Sequence, residues 1–392
     1  MRYEYTPAQL AWRDQVRAFC KRHVSEALRA EMRQAGYEGD GPLAKAFHRQ
    51  LFDKAWWGVG WPKDFGGMGK AAIEQYIFIE EMQMAGAPAM NLSVTSVAPT
   101  ILREGTEEQK AKWLQPILHG EYDFAVAYSE PSAGTDLAAL STRAELVGDG
   151  WVLNGQKIWN TGAHTATHNW VAVRTEPDKP KHQGISMIIV PMATPGIEVQ
   201  GIWTMSNIRT NAVFFDNVFI HDDYRVGELG KGFQYIAEAL DIERFSMFTF
   251  APIRGRVELL CNYVRDTVRD GKPLKDDPVV RQRIAQLATE CEVARLLGVR
   301  FVDAALHSNK TPTVEASEYK LYATELSRRV ADATMDIVGP GAQLALGTED
   351  APLMGRAESC YTYTVIDTIG GGSSEIQKNI IAKRKLDLPK NF

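Results

Sequence analysis

The 392-residue sequence has few cysteines and no long apolar run. Its cysteines, Cys20, Cys261, Cys291 and Cys360, lie far apart and form no CxxC pair, which argues against a disulfide framework or a thiolate metal site. The longest apolar stretch, near residues 185–190, is too short to span a bilayer, and the N-terminus lacks the apolar core of a signal peptide. We therefore expect a cytoplasmic protein that is neither secreted nor embedded in a membrane.

The sequence also lacks a dominant sign of charge. Its formal net charge is -5, from 44 Lys and Arg against 49 Asp and Glu, and both signs are mixed along the chain. Without a basic stripe or a polybasic segment, we expect no nucleic-acid partner and no membrane partner. The balance of 45% hydrophobic and 24% charged residues is that of a globular protein, with enough length for two or three domains.

Helical patterns dominate the first 122 residues. The segments Thr6–Gln9 and Thr106–Gln109 both match a capping box, in which a threonine is followed three positions later by a glutamine. Apolar residues at helical spacing follow the first capping box, and further helices are predicted over 73–84 and 107–118. We expect an N-terminal α-helical domain over residues 1–122.

Short strand-like segments replace the helical pattern between residues 123 and 226. They are rich in β-branched and aromatic residues, glycine or proline separates them, and Gly148–Gly150 suits a hairpin turn. Nothing in this region alternates strand with helix in the manner of a parallel sheet. We expect a middle β-barrel-like domain over residues 123–226.

Helical spacing returns after Gly230 in four long segments. They cover roughly residues 233–270, 278–307, 313–338 and 355–386, with a run of glycines at 370–372. Four long helices predict a C-terminal bundle over residues 227–392. The fold class expected for the whole chain is therefore α+β, with helical, β and helical domains in that order.

Two patterns that resemble binding sites are better explained otherwise. The glycines at 227–232 and 370–372 match neither GxGxxG in a strand-turn-helix unit nor a P-loop, so we interpret them as turns or helix entries. His164 and His168 are four residues apart but lie between predicted strands, without a nearby residue to complete a metal-ligand set. We expect no metal site.

Two further segments carry the chemistry. Residues 127–136, AYSEPSAGTD, combine small residues, hydroxyls and backbone donors at a strand end, which suits a wall against a flat polar ring or an ordinary strand-to-loop corner. Residues 154–162, NGQKIWNTG, are predicted to continue a strand with Trp159 and Thr161 on one face. The alternative for this second segment is a half-buried strand without a ligand.

Both segments resemble signatures of the acyl-CoA dehydrogenase family. AYSEPSAGTD is similar to the family's TEPGAGSD-type motif, and NGQKIWNTG is similar to its NGxKxWITN strand. Residues 373–389, SSEIQKNIIAKRKLDLP, resemble the C-terminal signature. The three motifs keep the family's order within a helix, β, helix layout, so the resemblance covers nearly the whole chain.

The resemblance implies FAD as cofactor, an acyl-CoA as substrate and electron-transfer flavoprotein as electron acceptor. The residues that it places on FAD are Tyr128, Ser129, Gly134, Thr135, Trp159, Thr161, Ser373 and Glu375. Asp241 and Arg244 match acyl-CoA contacts, and Thr135 would sit where flavin phosphate and CoA meet. Free backbone N–H groups at the start of the last helix would also favour a phosphate near Ser373.

The catalytic base departs from the commonest family pattern. Many members carry a glutamate in a YEGT loop before the last helix, but this chain has Gly371 at that position. Glu243, in the segment ALDIERF, resembles instead the base of the isovaleryl-type and long-chain subgroup. We expect Glu243 to be the base, and the Gly371 N–H to donate to the thioester carbonyl. The alternative for Glu243 is a solvated or arginine-paired carboxylate.

The segments that hold the adenine half of FAD depart as well. Homotetrameric members use RxxFG and QIxGG segments of a neighbouring subunit, where this chain has TVRDG at 267–271 and DIVGP at 336–340. Arg265 or Arg269 would need a shift in register to substitute, and Asp336 adds a negative charge. These departures lead to the hypothesis that a paralogous partner subunit supplies the missing contacts, as in the heterotetrameric acyl-CoA dehydrogenases of bacterial steroid side-chain breakdown. The alternative is a homotetramer.

We therefore expect an FAD-dependent acyl-CoA dehydrogenase that introduces an α,β double bond into a thioester. The glycines at 370–372 would leave room for a bulky or branched acyl group. Two alternatives remain open: an oxidase or flavin monooxygenase on the same fold, and a non-catalytic subunit of a heteromeric dehydrogenase.

Overall fold

The computed structural model describes residues 4–34, 41–88, 92–246, 249–306 and 312–389, with only the backbone described for residues 33–34 and 241–246. The chain divides into two compact units. One unit comprises Met1–Arg22, Ala72–Ala87 and Arg244–Phe392, and the other comprises His23–Ala71 and Pro88–Glu243.

The N-terminal region is helical, as predicted. Its α-helices are α1 (Pro7–His23), α2 (Glu26–Gln34), α3 (Pro42–Phe52), α4 (Ala72–Met84), α5 (Ala98–Glu104) and α6 (Glu107–Leu118). Both predicted capping boxes form: Gln9 N donates to Thr6 Oγ1, and Gln109 N donates to Thr106 Oγ1 at 3.2 Å. Each glutamine side chain accepts the threonine's backbone N–H in return, so the starts of α1 and α6 are satisfied locally.

The middle region forms one eight-stranded sheet. The strands are β1 (Phe124–Ala127), β2 (Arg143–Val147), β3 (Gly150–Lys157), β4 (His168–Arg174), β5 (Ile185–Pro191), β6 (Ile197–Trp203), β7 (Arg209–His221) and β8 (Arg225–Val226). Their order is β6-β7-β3-β2-β4-β5-β8, with β1 paired in parallel to β4. The predicted hairpin joins β2 to β3 through Gly148 and Asp149, and Gly148 has the positive φ that such a turn needs.

Helices return in the C-terminal region. They are α7 (Gly232–Ser246), α8 (Ala251–Asp266), α9 (Pro278–Leu306), α10 (Thr313–Val338), α11 (Arg356–Asp367) and α12 (Ser374–Arg384). The helical, β and helical order confirms the predicted fold class. Two buried cores match it, one on the sheet around Leu153, Val171 and Val213, and one among α8, α9 and α10 around Leu260, Leu287 and Leu326.

Two of the four predicted helical segments are divided. The segment over 355–386 breaks at the glycine run, because α11 ends at Asp367 and α12 begins at Ser374. The segment expected as one helix over 233–270 is divided, because α7 ends at Ser246 and α8 begins at Ala251 with a proline in its first turn. Beyond α8 the chain turns back as a small hairpin of β9 (Val268–Arg269) and β10 (Lys272–Pro273). Asp270 and Gly271 both have positive φ, which suits a tight hairpin turn and cannot continue a helix.

The predicted division into three domains at residues 122 and 226 stays a prediction. Among the described residues, no helix is long and apolar enough to cross a membrane. Within the same residues, no group of three or more His, Cys, Asp and Glu side chains is arranged to hold a metal ion.

Candidate active site

The segment AYSEPSAGTD leaves the sheet at the end of β1 and turns at once. Glu130 and Ala133 exchange backbone hydrogen bonds of 3.1 and 3.0 Å, which closes a tight turn. Gly134 and Thr135 are exposed beyond it, and a side chain added at Gly134 would meet nothing within 4 Å. The N–H groups of Gly134 and Thr135 find no acceptor among the described residues, so this turn presents donors beside open space.

The segment NGQKIWNTG corrects the expected strand. Trp159 and Thr161 do not lie together on one face of this strand, because β3 ends at Lys157 and Trp159 has a left-handed φ of 60°. Trp159 is nonetheless 57% exposed, and Thr161 is exposed with its hydroxyl 3.1 Å from that of Thr210. A large aromatic side chain with left-handed backbone is uncommon, and such strain persists where the surrounding structure enforces it.

The two segments lie side by side and are joined directly. Ile158 N donates to Ser129 O at 3.0 Å, and Asn160 Nδ2 donates to Val126 O at 2.8 Å. Lys157 Nζ donates to Tyr128 O at 3.1 Å. The structure therefore brings together Tyr128, Ser129, Gly134, Thr135, Trp159 and Thr161 on one corner of the sheet, which we call the corner surface.

A buried ion pair anchors this corner surface. The Lys157 ammonium lies 2.8 Å from the Glu130 carboxylate, and both side chains are almost completely inaccessible to solvent. Ser141 and Thr142 donate to the same carboxylate. Burial alone would raise the pKa of Glu130, but Lys157 and these hydrogen bonds outweigh it and lower the pKa to about 2. Glu130 is therefore a carboxylate at neutral pH.

Three buried asparagines hold the corner at Trp159. Asn160 accepts a hydrogen bond of 2.6 Å from Asn169 Nδ2, and its backbone carbonyl accepts one of 2.9 Å from Asn211 Nδ2. Asn160 N in turn donates to Asn211 O at 2.9 Å. Since all three side chains are fully buried, these bonds are strong constraints on the residue beside them. They hold Asn160, the residue that directly follows the left-handed Trp159.

The glycine run lies between α11 and α12, in the other compact unit. Gly371 and Gly372 have φ values of 64° and 89°, where side chains are disfavoured. Ser373 caps α12 through a side-chain contact with Ile376 N, and Glu375 is exposed in its first turn. Hydrogen bonds from its own N–H and from Ser373 lower the pKa of Glu375. Gly371, Ser373 and Glu375 therefore lie close together on this unit.

The first turn of α12 offers fewer free N–H groups than the sequence suggests. Ser374 N donates to Thr368 O at 2.9 Å, and the N–H of Glu375 is bound by its own carboxylate. A cleft of about 410 Å³ nevertheless opens beside this turn, lined by basic and acidic side chains, including Arg328, Arg329 and Lys378. Glu325, Asp332 and Glu375 line the same cleft, and Lys378 pairs with Glu325, so the charges of the cleft are balanced.

Asp241, Glu243 and Arg244 lie on α7, whose backbone is described to Ser246. Their side chains lie outside the described residues. Their predicted roles as base and acyl-CoA contacts therefore remain predictions that rest on the sequence.

The segments predicted near the adenine make contacts within the chain. Arg269 Nη2 donates to Ile337 O at 2.6 Å and to Val338 O at 3.2 Å, at the carboxyl end of α10. Arg265 donates to Asn262 Oδ1 at 3.0 Å, and Asp336 is exposed. Both arginines considered as substitutes thus already have partners in their own subunit.

The two histidines four residues apart have different neighbours. His168 is buried among the rings of Trp113, Tyr122 and Phe124, and this burial lowers its pKa to about 4. His164 instead contacts Asn211 through Nδ1 at 3.3 Å. His168 therefore serves in packing, and His164 serves in a hydrogen bond beside the corner surface.

Sequence reasoning missed Glu130, Lys157 and the asparagines as members of this site. The sequence does contain a signal for Lys157. Trp151 and Leu153 of β3 are buried at alternate positions, and continuing this alternation along the strand places Lys157 on the same buried face. A lysine at an inward position needs a buried anion, and Glu130 of the other motif supplies it.

Known proteins resemble this chain along nearly its whole length. Three family models match the chain: acyl-CoA dehydrogenase N-terminal domain over residues 6–121, middle domain over 125–218 and C-terminal domain over 230–386. Acyl-CoA dehydrogenase FadE26 of Mycobacterium tuberculosis is 34% identical over 100% of this chain and 99% of its own length.

Two solved structures resemble the whole chain. The ChsE4-ChsE5 complex from Mycobacterium tuberculosis superposes with a TM-score of 0.90 at 34% identity, covering 100% of both chains. A structure described as the Tcur3481-Tcur3483 steroid ACAD gives a TM-score of 0.90 at 33% identity, also covering 100% of both chains. The chain belongs to the acyl-CoA dehydrogenase family and is an oxidoreductase that acts on CH–CH donors.

Proposed function

We propose that this chain binds FAD and introduces an α,β double bond into an acyl-CoA thioester. Bound FAD would accept the β-hydrogen as hydride at N5. The observation that supports this proposal is the corner surface, where exposed Trp159 and the N–H groups of Gly134 and Thr135 lie beside open space. An aromatic face and a row of polar donors suit a flat ring with polar edges.

The other proposed steps are carried out by residues of this chain, which remove a proton from the thioester and donate a hydrogen bond to its oxygen. Glu243 would remove the α-proton of the thioester, which a positioned base accelerates by about 10²–10⁴-fold. The Gly371 N–H would donate to the thioester oxygen and stabilise the negative charge that develops there. The CoA ester would be held by Asp241, Arg244 and Thr135. The remaining contacts with FAD would come from Tyr128, Ser129, Thr161, Ser373 and Glu375. The absence of a side chain at Gly371 supports a base on another element.

For its partners, we propose a tetramer in the cytoplasm that passes electrons to electron-transfer flavoprotein. A heteromeric assembly is supported by the two structural neighbours, which are each described as pairs of different chains. It is also supported by Arg269, which is bound to the end of α10 and so not arranged as the family's adenine contact. The glycines at 370–372 support a bulky acyl group, and one neighbour is described as a steroid enzyme.

The test of the proposed function is flavin bleaching by acyl-CoA thioesters without oxygen. Wild-type holoenzyme is screened with short, branched, long and steroidal acyl-CoAs, and the best substrate is then given to Glu243→Gln. This variant should retain FAD but lose bleaching, because an amide cannot accept the α-proton. Glu238→Gln is a matched control, since it removes a carboxylate of the same helix that pairs with Arg103. Undiminished bleaching by Glu243→Gln would refute the assignment of the base.

A further inference from the structure

A completely buried lysine lies beneath the glycine run. Lys320, on α10, has no accessible surface, and its Nζ donates to Asp367 O at 3.0 Å and to Gly372 O at 2.9 Å. Asp367 is the last residue of α11 and Gly372 precedes the cap of α12. One ammonium therefore bridges the two ends of the loop that carries Gly371.

A second buried side chain holds the same loop. Gln377 is also completely buried, and its Nε2 donates to Gly372 O at 2.9 Å and to Gly371 O at 3.4 Å. On the other side of the loop, Gly370 N donates to Ile366 O at 2.8 Å. The peptide that carries the Gly371 N–H thus lies between two peptides that are each held by hydrogen bonds.

This arrangement opposes the flexibility of three consecutive glycines. Glycine adopts positive and negative φ about equally, so an unsupported run would present its N–H groups in many directions. Because a peptide is planar, the bonds to the Gly371 and Gly372 carbonyls also fix the N–H groups of Gly372 and Ser373, so the peptide that carries the Gly371 N–H is held between fixed neighbours. The charge of Lys320 strengthens its hydrogen bonds and lies at the carboxyl end of α11, where the helix dipole favours a cation.

The Asp367 carboxylate near the ammonium belongs to a separate hydrogen-bond network. Ser327 Oγ donates to the Asp367 carboxylate at 2.8 Å, and Arg256 donates to Ser327 Oγ at 2.6 Å. Burial raises the pKa of Asp367, while Arg256, Ser327 and Lys320 oppose the shift. This neighbouring network offers a control, because Ser327 can be changed without removing a donor to the glycine run.

We propose that Lys320 is a positioning residue that aligns the Gly371 N–H with the thioester oxygen. This inference rests on the proposed function, in which that N–H donates to the substrate. Lys320 does not touch the substrate, and its effect passes through the loop peptides. Loss of Lys320 should therefore impair the stabilisation of an enolate more than it impairs the binding of FAD or of acyl-CoA.

The experiment compares Lys320→Met, Lys320→Gln, Gln377→Leu and the control Ser327→Ala with wild type, as FAD-loaded holoenzymes in their native assembly. The first measurement is the rate constant for anaerobic bleaching by a substrate acyl-CoA. The second is the pH at which bound acetoacetyl-CoA becomes an enolate. The enolate is detected by its long-wavelength charge-transfer absorption with oxidised flavin. Aligned donors favour the enolate, so wild type should form it at the lowest pH.

Lys320→Met should slow bleaching at least tenfold and raise the pH of enolate formation by about one unit or more, whereas the Kd of acetoacetyl-CoA changes less than threefold. Lys320→Gln should recover part of the loss, because its amide is still a donor, and Ser327→Ala should match wild type. If Lys320→Met does not load FAD, the same two measurements on Lys320→Gln and Gln377→Leu test the proposal.

Bleaching and enolate formation at wild-type levels in these loaded variants would overturn the proposal for Lys320. A wild-type enzyme that no acyl-CoA bleaches would instead overturn the proposed function. The two failures are therefore distinct.

Discussion

At the scale of single residues, Lys157 links the two segments of the corner surface. Its ammonium contacts Glu130 and the carbonyl of Tyr128, both in AYSEPSAGTD, and lies at the end of β3. We expect Lys157→Met to lower the free energy of unfolding by about 3–5 kcal/mol, because it leaves a buried carboxylate without its cation. Lys181→Met is the control: its pair with Asp136 is exposed, so its loss should cost less than about 1 kcal/mol. Urea titration measures both.

The penalty of Lys157→Met should also depend on pH. In wild type the folded-state pKa of Glu130 is lowered to about 2, so its stabilising effect is complete above its unfolded value, near 4.3, and is lost only as the pH falls towards 2. Without Lys157, burial raises this pKa, so the variant regains stability when Glu130 is protonated. Burial lowers the pKa of Lys157 to about 8, so the wild-type ammonium is still charged at pH 7. Urea titrations at pH 7 and pH 5 should therefore give the larger difference from wild type at pH 7. An equal difference at both values would contradict the role assigned to the pair.

At the same scale, the motifs predicted which residues form the corner surface but not how they are held. Tyr128, Ser129, Trp159 and Thr161 were expected from the resemblance, yet the left-handed backbone of Trp159 was not. The next residue, Asn160, is held by Asn169 and Asn211, which lie on β4 and β7. Contacts between residues so far apart in sequence have no local pattern by which a single sequence reveals them.

At the scale of elements, local signals were the most informative. The two capping boxes predicted the starts of α1 and α6, and the Gly148–Asp149 turn predicted the β2–β3 hairpin. The split between α7 and α8 was missed because apolar spacing continues across it. The β9–β10 hairpin was missed because its strands are two residues long and show no alternation. Periodicity needs several turns or residue pairs, and these features are shorter than that.

The two capping boxes should differ in their contribution to stability. Gln109 is buried and its Nε2 also donates to Asp223 O and Arg225 O, at 2.9 and 2.8 Å, beside β8. Thr106→Ala should therefore cost about 1 kcal/mol, as for a typical cap, while Gln109→Ala should cost clearly more, since it leaves two carbonyls unpaired as well. Gln9→Ala, in the exposed box at the start of α1, is the matched comparison and should cost least. Thermal unfolding of the three variants gives the order, and equal shifts in Tm for Gln109→Ala and Gln9→Ala would contradict it.

At the scale of the whole molecule, the proposed binding of FAD raises the question of whether one kind of chain is enough. In homotetrameric members of the family, the adenine half of FAD is held by a neighbouring subunit, through an arginine and a glutamine. Here Arg269 is bound to the carboxyl end of α10, and exposed Asp336 stands where the glutamine is expected. An exposed carboxylate repels the phosphates of FAD, whereas glutamine would offer a neutral donor. An assembly of identical chains would bring these same unsuitable residues to every FAD.

We therefore expect the chain expressed alone to hold clearly less than one FAD per chain, and coexpression with a paralogous subunit to restore FAD binding. Asp336→Gln should raise the FAD affinity of the chain alone by about tenfold, or about 1.4 kcal/mol, because it removes the repulsion and adds a donor. Glu349→Gln is the control for a general loss of negative charge, since Glu349 is also exposed. Flavin absorbance per chain after gel filtration, together with the mass of the eluted species, measures the outcome. A yellow homotetramer with one FAD per wild-type chain would contradict the need for a partner. It would also show that FAD binds although Arg269 and Asp336 depart from the family pattern.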